Sequence, residues 1–189
     1  NSVVEVNNII IGAADTLTVN GPVVIGANAN LSTTLFTPTG GGSFVNNNDG
    51  GTFQVGGATG TGNENDATAD FSALSNFTVD LGSTGTFRVG DNSSNSGAVG
   101  LSKLILAPTS TITANSLQVA SVQTNSLQTL QLGSGVNTLN VNKLQVGGIT
   151  RGVGLLDFAV GTGTLKLRAA DATSAAVMDV GVSTTGTAN

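Results

Sequence analysis

Carboxylates are the main reactive groups of this chain, because it contains no His, Cys, Trp or Tyr. This composition excludes zinc sites built from Cys or His, thiol chemistry, a His general base and a haem with a His ligand. The charged residues are 11 Asp and Glu against 6 Lys and Arg, which gives a net charge of −5. Catalysis by carboxylates needs two of them held together, one acting as the acid and the other as the base.

Two acidic clusters offer the oxygen ligands that Ca²⁺ prefers. The first is the run Asn46–Asp49, and the second comprises Glu64, Asp66 and Asp70. A calcium site takes about six to eight oxygens. The second cluster faintly resembles calcium-binding glycine–aspartate repeats but occurs only once. We interpret both clusters as polar loops, keep the second as the calcium candidate, and expect no other cofactor.

Short apolar–polar–apolar triplets recur along the chain and predict the elements that would position these groups. Because alternate side chains of a strand point to opposite sides, the first and third residues of each triplet face a core. Successive triplets of one series lie 25 to 27 residues apart. The first series begins at Phe53, Val79, Leu104, Leu130 and Leu156, the second at Phe87, Ile112, Leu139 and Leu165, and the third at Leu117 and Leu144.

Turn residues between the triplets complete the pattern. Gly, Ser, Thr and Pro cluster at 82–85, 108–110, 133–135 and 161–163, where they permit tight bends. Three strands and three bends in about 26 residues predict one coil of a parallel β-solenoid. A β-sandwich competes, but its strands are usually longer and have no such fixed period.

The predicted fold is therefore all-β, a parallel β-helix with about 26 residues and three short strands per coil. We expect a single domain over residues 1–189, with irregular coils and loop excursions at 1–75 and regular coils at 76–183. The predicted core residues are Phe53, Val55, Val79, Leu81, Leu104, Leu106, Leu130, Leu132, Leu156, Phe158, Phe87, Val89, Ile112, Leu139, Val141, Leu165 and Leu167.

Two motifs after Leu130 carry a resemblance to a known group of proteins. They are L-x-L-G-S-G-x-N-T-L-N-V and F-A-x-G-T-G-T-L-x-L-R. This segment resembles the β-strand-repeat proteins, which are related to autotransporter passenger repeats and occur in large bacterial exported proteins. The resemblance covers residues 77–183 well and the N-terminal third poorly. It implies a secreted, elongated β-solenoid with a structural or adhesive role.

Enzymatic β-helices, typified by pectate-degrading enzymes, hold Ca²⁺ with Asp and Glu and use Arg or Lys as the base. In this chain a 26-residue period places no two carboxylates on adjacent coils of the predicted outward column. We therefore expect that the chain does not catalyse a reaction and that Asp80 and Arg88 have no catalytic role. That predicted column is Gln54, Asp80, Ile105, Gln131 and Asp157.

Threonine columns are the sharpest predicted surface feature. The period stacks Thr86, Thr111, Thr138 and Thr164 on the outer face, beside a second column of Thr84, Thr109, Val136 and Thr162. Thr-x-Thr rows on a flat solenoid face resemble those of ice-binding proteins, although Thr also suits any exposed strand position. The adjacent column of Arg88, Thr113, Asn140 and Lys166 interrupts a flat array of hydroxyls.

Both ends of the sequence are apolar and prone to form strands. A terminal coil of a solenoid exposes unpaired backbone N–H and C=O groups and lacks one stabilising neighbour. We expect another copy to cover each end, giving a head-to-tail filament, the alternative being a piece cut from a longer solenoid. The predicted self-association residues are Val3, Val4, Val6, Ile9, Ile11, Val177, Val180 and Val182.

The leading functional interpretation is an extracellular or cell-surface structural protein that forms a fibre or surface layer. An adhesin or glycan-binding module is second, although exposed aromatics for sugar binding are scarce, and an enzyme is third. The basic residues are scattered, which argues against nucleic-acid binding, and the apolar runs are far shorter than a membrane span of ~20 residues. The chain opens without a start Met or signal peptide, so we expect a processed chain or a fragment.

Overall fold

The computed structural model describes residues 9–26, 33–56, 66–90, 100–120, 126–148, 152–159 and 162–181. These ranges contain β-strands and no helix, and each strand pairing is parallel. In chain order the strands are β1 (Thr16–Val19), β2 (Val23–Ile25), β3 (Thr33–Phe36), β4 (Ser43–Asn47), β5 (Thr52–Val55), β6 (Asp66–Asp70), β7 (Asn76–Asp80), β8 (Thr86–Val89), β9 (Ser102–Ile105), β10 (Thr109–Val119), β11 (Leu127–Leu132), β12 (Val136–Val146), β13 (Val153–Phe158), β14 (Thr164–Arg168) and β15 (Val177–Val180).

The strands line three faces, which the chain visits in the order A, B, C. Face A contains β1, β4, β7 and β14, and face B contains β2, β5, β8 and β15. The long strands β10 and β12 cross both faces and join them into one sheet of ten described strands. Face C is a separate sheet of β3, β6, β9, β11 and β13. We number the coils by their face A strands, so that coil one begins at β1 and coil six at β14.

This pairing confirms the predicted parallel β-solenoid, because each strand pairs with the strand of the next coil on the same face. The predicted spacing of 26 residues also holds on face C, where Ser102 pairs with Gln128 and Leu127 with Val153. Coils two and three are longer, since Ala67 pairs with Ser102, 35 residues later. The longest connections of these coils run from face B to face C, such as the one between β5 and β6.

The predicted core residues lie inside the coils. The predicted core residues between Phe53 and Val141 are buried. The last four, in β13 and β14, are only partly buried against the core: Leu156, Phe158, Leu165 and Leu167. Phenylalanine rings fill the first three coils, with ring centroids 4.7 to 6.5 Å apart. Leu, Ile and Val fill the later coils, so the core changes composition along the axis.

The predicted grouping of the triplets into columns is partly wrong. Leu104, Leu130 and Leu156 stack on face C as expected. Phe53, however, lies on face B and Val79 on face A. A constant period merges different faces into one series, because the coils differ in length and coils two and three are longer than coils one and four.

A corner motif that the predicted triplets do not include marks the end of face B in each of the six described coils. The motif consists of a large apolar residue, any residue, Val or Ile, and then Gly, which is replaced once by Ala. The Val and Ile residues are paired from coil to coil, and the next residue has a left-handed φ between 63° and 98°. Glycine is favoured there because it lacks a Cβ. These corner residues are Gly26, Gly56, Gly90, Ala120, Gly147 and Gly181.

Candidate functional surfaces

The first predicted threonine column is wrong. The strand pairings do not stack Thr86, Thr111, Thr138 and Thr164 in one column. Thr86 lies on face B and pairs with Ser116, not with Thr111. The reason is the core: this register places Phe87 against Leu117 and Gly90 beside the left-handed Ala120. A register shifted by five residues would no longer pair these large apolar residues with each other, or these corner residues with each other.

The other end of the predicted column is shifted by two residues. Thr138 pairs with Lys166, and Thr164 pairs with Val136. Because side chains alternate, a two-residue shift keeps the threonines outward but changes their neighbours. The threonine column on face A is Thr78, Thr111 and Thr138.

The second predicted column is corrected by the same pairings. Thr109 pairs with Asn76 on face A, and Val136 pairs with Thr164 rather than with Thr162. Thr84 lies in the turn between β7 and β8. Face A therefore mixes hydroxyl, amide, carboxylate and basic side chains from coil to coil.

A polar cleft of about 500 Å³ opens where the chain turns from face A to face B in coils two and three. The Asp80 Oδ1 atom accepts a hydrogen bond from the Gly82 N–H at 3.0 Å, and the Asp80 carbonyl accepts one from the Asn48 N–H at 2.9 Å. The Asp49 carboxylate lies directly against the Gly82 backbone, where any Cβ would overlap it. The cleft is lined by Asn47, Asn48, Asp49, Asp80, Gly82 and Ser83.

The predicted outward column around Asp80 is wrong. Asp80 pairs with Asn47 and Thr113 instead of standing in a column with Gln54 and Ile105. The turn after β4 then brings Asp49 to the same cleft as Asp80. The lining offers carboxylate oxygens, amides and a hydroxyl, which are groups that hydrogen-bond hydroxyl-rich ligands.

The calcium candidate is only partly within the described residues. Glu64 lies outside them, while Asp66 and Asp70 begin and end β6. Asp66 Oδ1 accepts a hydrogen bond from the Leu101 N–H at 2.8 Å, and Asp70 Oδ1 accepts one from the Ser72 N–H at 2.9 Å. In the described parts of the chain, no three acidic side chains come together as a metal site.

The C-terminal end of the described solenoid exposes its core columns. Met178 and Val180 continue the inward columns of Leu144 and Val146. Leu144 and Val146 are 0% and 6% exposed, whereas Met178 and Val180 are 51% and 64% exposed. The difference arises because β15 has a described strand on only one side. Val177, also a predicted contact residue, lies in the same strand and is exposed.

The N-terminal end is only partly as predicted. Ile11 is buried and Ile9 is partly buried against the core, so these two are core residues, not exposed contact residues. Ile10 between them is exposed and forms a bridge with Thr39, because neighbouring residues of an extended segment face opposite sides. The other predicted contact residues, Val3, Val4, Val6 and Val182, lie outside the described residues.

The outer surface has no exposed aromatic side chain. The chain contains seven Phe and no Trp or Tyr. Five Phe are buried, and Phe36 and Phe158 are partly buried against the core. Sugar-stacking surfaces of the usual aromatic kind are therefore missing. In the ranges that the structure describes, there is also no helix long and apolar enough to span a membrane.

The turn between β14 and β15 is organised by Asp171. Its carboxylate accepts hydrogen bonds from the Ser174 hydroxyl, the Ser174 N–H and the Thr173 N–H. These bonds, that of the Ser174 hydroxyl first, hold the pKa of the exposed Asp171 carboxyl well below its usual range. The turn is therefore best formed when Asp171 is ionised.

No protein-family model, curated protein or solved structure matches this chain.

Proposed function

We propose that this chain is a non-enzymatic structural β-solenoid whose copies associate head to tail into an extracellular fibre or surface layer. The observation that carries the proposal is the exposed core at the C-terminal end, where Met178 and Val180 lie uncovered on buried columns. Apolar side chains in such positions gain ~25 cal/mol for each Å² removed from water. Among the described strands, β15 pairs only with β12, so its other edge adds backbone groups that need partners.

The opposite end supports the same proposal. Leu17, Val19, Val23 and Phe36 in the first coil are only partly buried, although their columns are fully buried further along the axis. The first coil and the last coil therefore present the same kinds of side chain in the same columns. A contact between unlike ends of two copies repeats indefinitely unless its rotation closes a ring. The extracellular placement rests on the composition and on the resemblance stated above.

Sedimentation velocity of the purified chain at micromolar concentrations tests the proposal. We expect a concentration-dependent series of species, and a shift to monomer in Val180→Lys, which puts a charge on the exposed end. Leu101→Lys is the matched control, because Leu101 is an exposed apolar residue on the side of the solenoid. It should associate like the wild type.

Two results would overturn head-to-tail association. One is a wild-type chain that stays monomeric over the whole concentration range. The other is association that Leu101→Lys abolishes and Val180→Lys leaves intact, which would indicate contact through the sides. Circular dichroism of both variants would show that the solenoid is folded.

Binding of a hydroxyl-rich ligand is a second candidate function, and the cleft at Asp49 and Asp80 favours it. Titration calorimetry with soluble acidic and neutral polysaccharides would test it. Saturable heat that disappears in the Asp49→Asn, Asp80→Asn double variant would support a glycan-binding module. The absence of exposed aromatic rings makes the structural role our first choice.

A further inference from the structure

Resting on the proposed head-to-tail association, we infer that successive copies stack without rotation about the solenoid axis. In this arrangement β1 of one copy pairs in parallel with β14 of the previous copy, and β2 pairs with β15. The partner of each end is thus the opposite end of a second copy, with face A continuing face A and face B continuing face B.

The corner motif selects this rotation. The cross-section is not threefold symmetric, because the corner after face B has a left-handed residue in each described coil, whereas the other corners have one in some coils only, at Gly40, Gly41, Gly50, Gly82 and Ala172. At that corner the N–H of one coil donates to the carbonyl before the corner of the previous coil, as from Gly181 to Val146. A copy in the unrotated position places Gly26 over Gly181 and extends this series. A copy rotated by one face places the turn between β1 and β2, or the one between β3 and β4, over Gly181 and interrupts this series.

The columns of the two ends agree in this register. On face A, existing pairings run from Leu17 through Phe44 to Phe77, and from Asn137 to Leu165. Continuing them places Leu17 of the next copy over Leu165, and Val19 over Leu167. On face B the same rule places Val23 over Met178 and Ile25 over Val180. Each partly buried or exposed core residue at one end then meets an apolar residue from the other.

The outward residues give the pairing a direct readout. Thr16 and Thr164 are exposed and begin β1 and β14 in the same face A column. Paired strands lie about 4.8 Å apart, which is within the Cα separation of about 4.4–6.8 Å that a disulfide requires. The chain has no native Cys, so any cross-link must come from introduced residues. On face C the arrangement leaves a position for one strand between β13 and the next copy's β3.

Oxidative cross-linking of Thr16→Cys mixed with Thr164→Cys tests the register. We expect a covalent dimer from the mixture, none from either variant alone, and a ladder of multimers from the double variant. The matched control mixes Thr164→Cys with Thr33→Cys, because Thr33 is exposed at the same end but begins β3 on face C. This control should give no dimer.

The outcomes separate the register from the proposed function. Cross-linking of Thr33→Cys in place of Thr16→Cys, or association in sedimentation without any cross-link, overturns the unrotated register while head-to-tail association stands. A dimer of Thr16→Cys or Thr164→Cys alone indicates contact between like ends and overturns both. A wild-type chain that does not associate removes the proposed function, and the register falls with it.

Discussion

At the corner after face B, a single backbone conformation is imposed on six residues, and their surroundings differ. A Cβ in the left-handed region costs roughly 1–2 kcal/mol. Ala120, with a φ of 63°, shows that the fourth coil accommodates a methyl group. At Gly56 a Cβ would overlap the Ser102 hydroxyl, whereas at Gly181 it would meet no heavy atom within 4 Å. The same substitution therefore tests conformation and space separately.

We expect Gly181→Ala to lower the free energy of unfolding by about 1 kcal/mol, from backbone strain alone. Gly56→Ala should lower it by about 2–4 kcal/mol, because overpacking adds to the same strain. Urea unfolding followed by circular dichroism measures both values. Equal losses of unfolding free energy in the two variants would contradict the steric overlap with Ser102.

Asp171 predicts a local response to acid. The pKa of Asp171 is lower in the folded chain than in the unfolded chain, where it is about 4. The ionised carboxylate therefore stabilises the turn fully at a pH above this unfolded-state pKa, and the stabilisation is lost as the pH falls through the folded-state pKa. We expect the amide signals of Thr173 and Ser174 to move in NMR spectra recorded from pH 5 downward. In Asp171→Asn this pH dependence should vanish, and its persistence would assign the effect to another group.

Long strands decide the arrangement of the elements. β10 pairs with β7 through its first half and with β8 through its second half, so one strand fixes the relation between faces A and B. In the described residues face C has no such continuous strand to the other faces, and the longest connections run from face B to face C. Elements tied by β10 and β12 therefore keep their register, while the connections between faces B and C vary in length.

Core packing between coils predicts a large loss on truncation of Leu132. This residue is 1% exposed and pairs with Phe158 of the next coil. We expect Leu132→Ala to cost about 2–5 kcal/mol, because coils on both sides prevent collapse into the cavity. Leu155→Ala on the neighbouring strand β13 is the control, since Leu155 is exposed and should cost far less. Similar costs in chemical denaturation would argue against a rigid stack of coils.

For the whole molecule, stability should be lowest at the ends, because a terminal coil has one neighbour instead of two. Hydrogen exchange of dilute monomer should show less protection in β14 and β15 than in β10 and β11. At concentrations that give association, β14, β15, β1 and β2 should become protected. Protection of these strands that is complete in the monomer and independent of concentration would count against end-to-end contact.

The sequence by itself determined the all-β solenoid and the part of the core that the predicted triplets form, whereas buried residues such as Phe44, Phe71 and Phe77 lie outside the predicted core. The solenoid and the predicted part of the core follow from the alternation of residues such as Leu130, Gln131 and Leu132, which is a local property of the chain. The repeated Val-Gly and Ile-Gly corners would also have been readable, because left-handed backbone favours glycine.

Only the tertiary structure decided the register, and with it the surface. Thr86 pairs with Ser116, and Asp49 shares a cleft with Asp80, because coils two and three contain longer connections than a constant period allows. On face A, where Thr164 pairs with Val136, alternation could not reveal the register, since a shift of two residues leaves every side chain facing the same way. The register is chosen by packing between residues that lie 26 to 35 positions apart, and loop closure tolerates such differences in length at little cost.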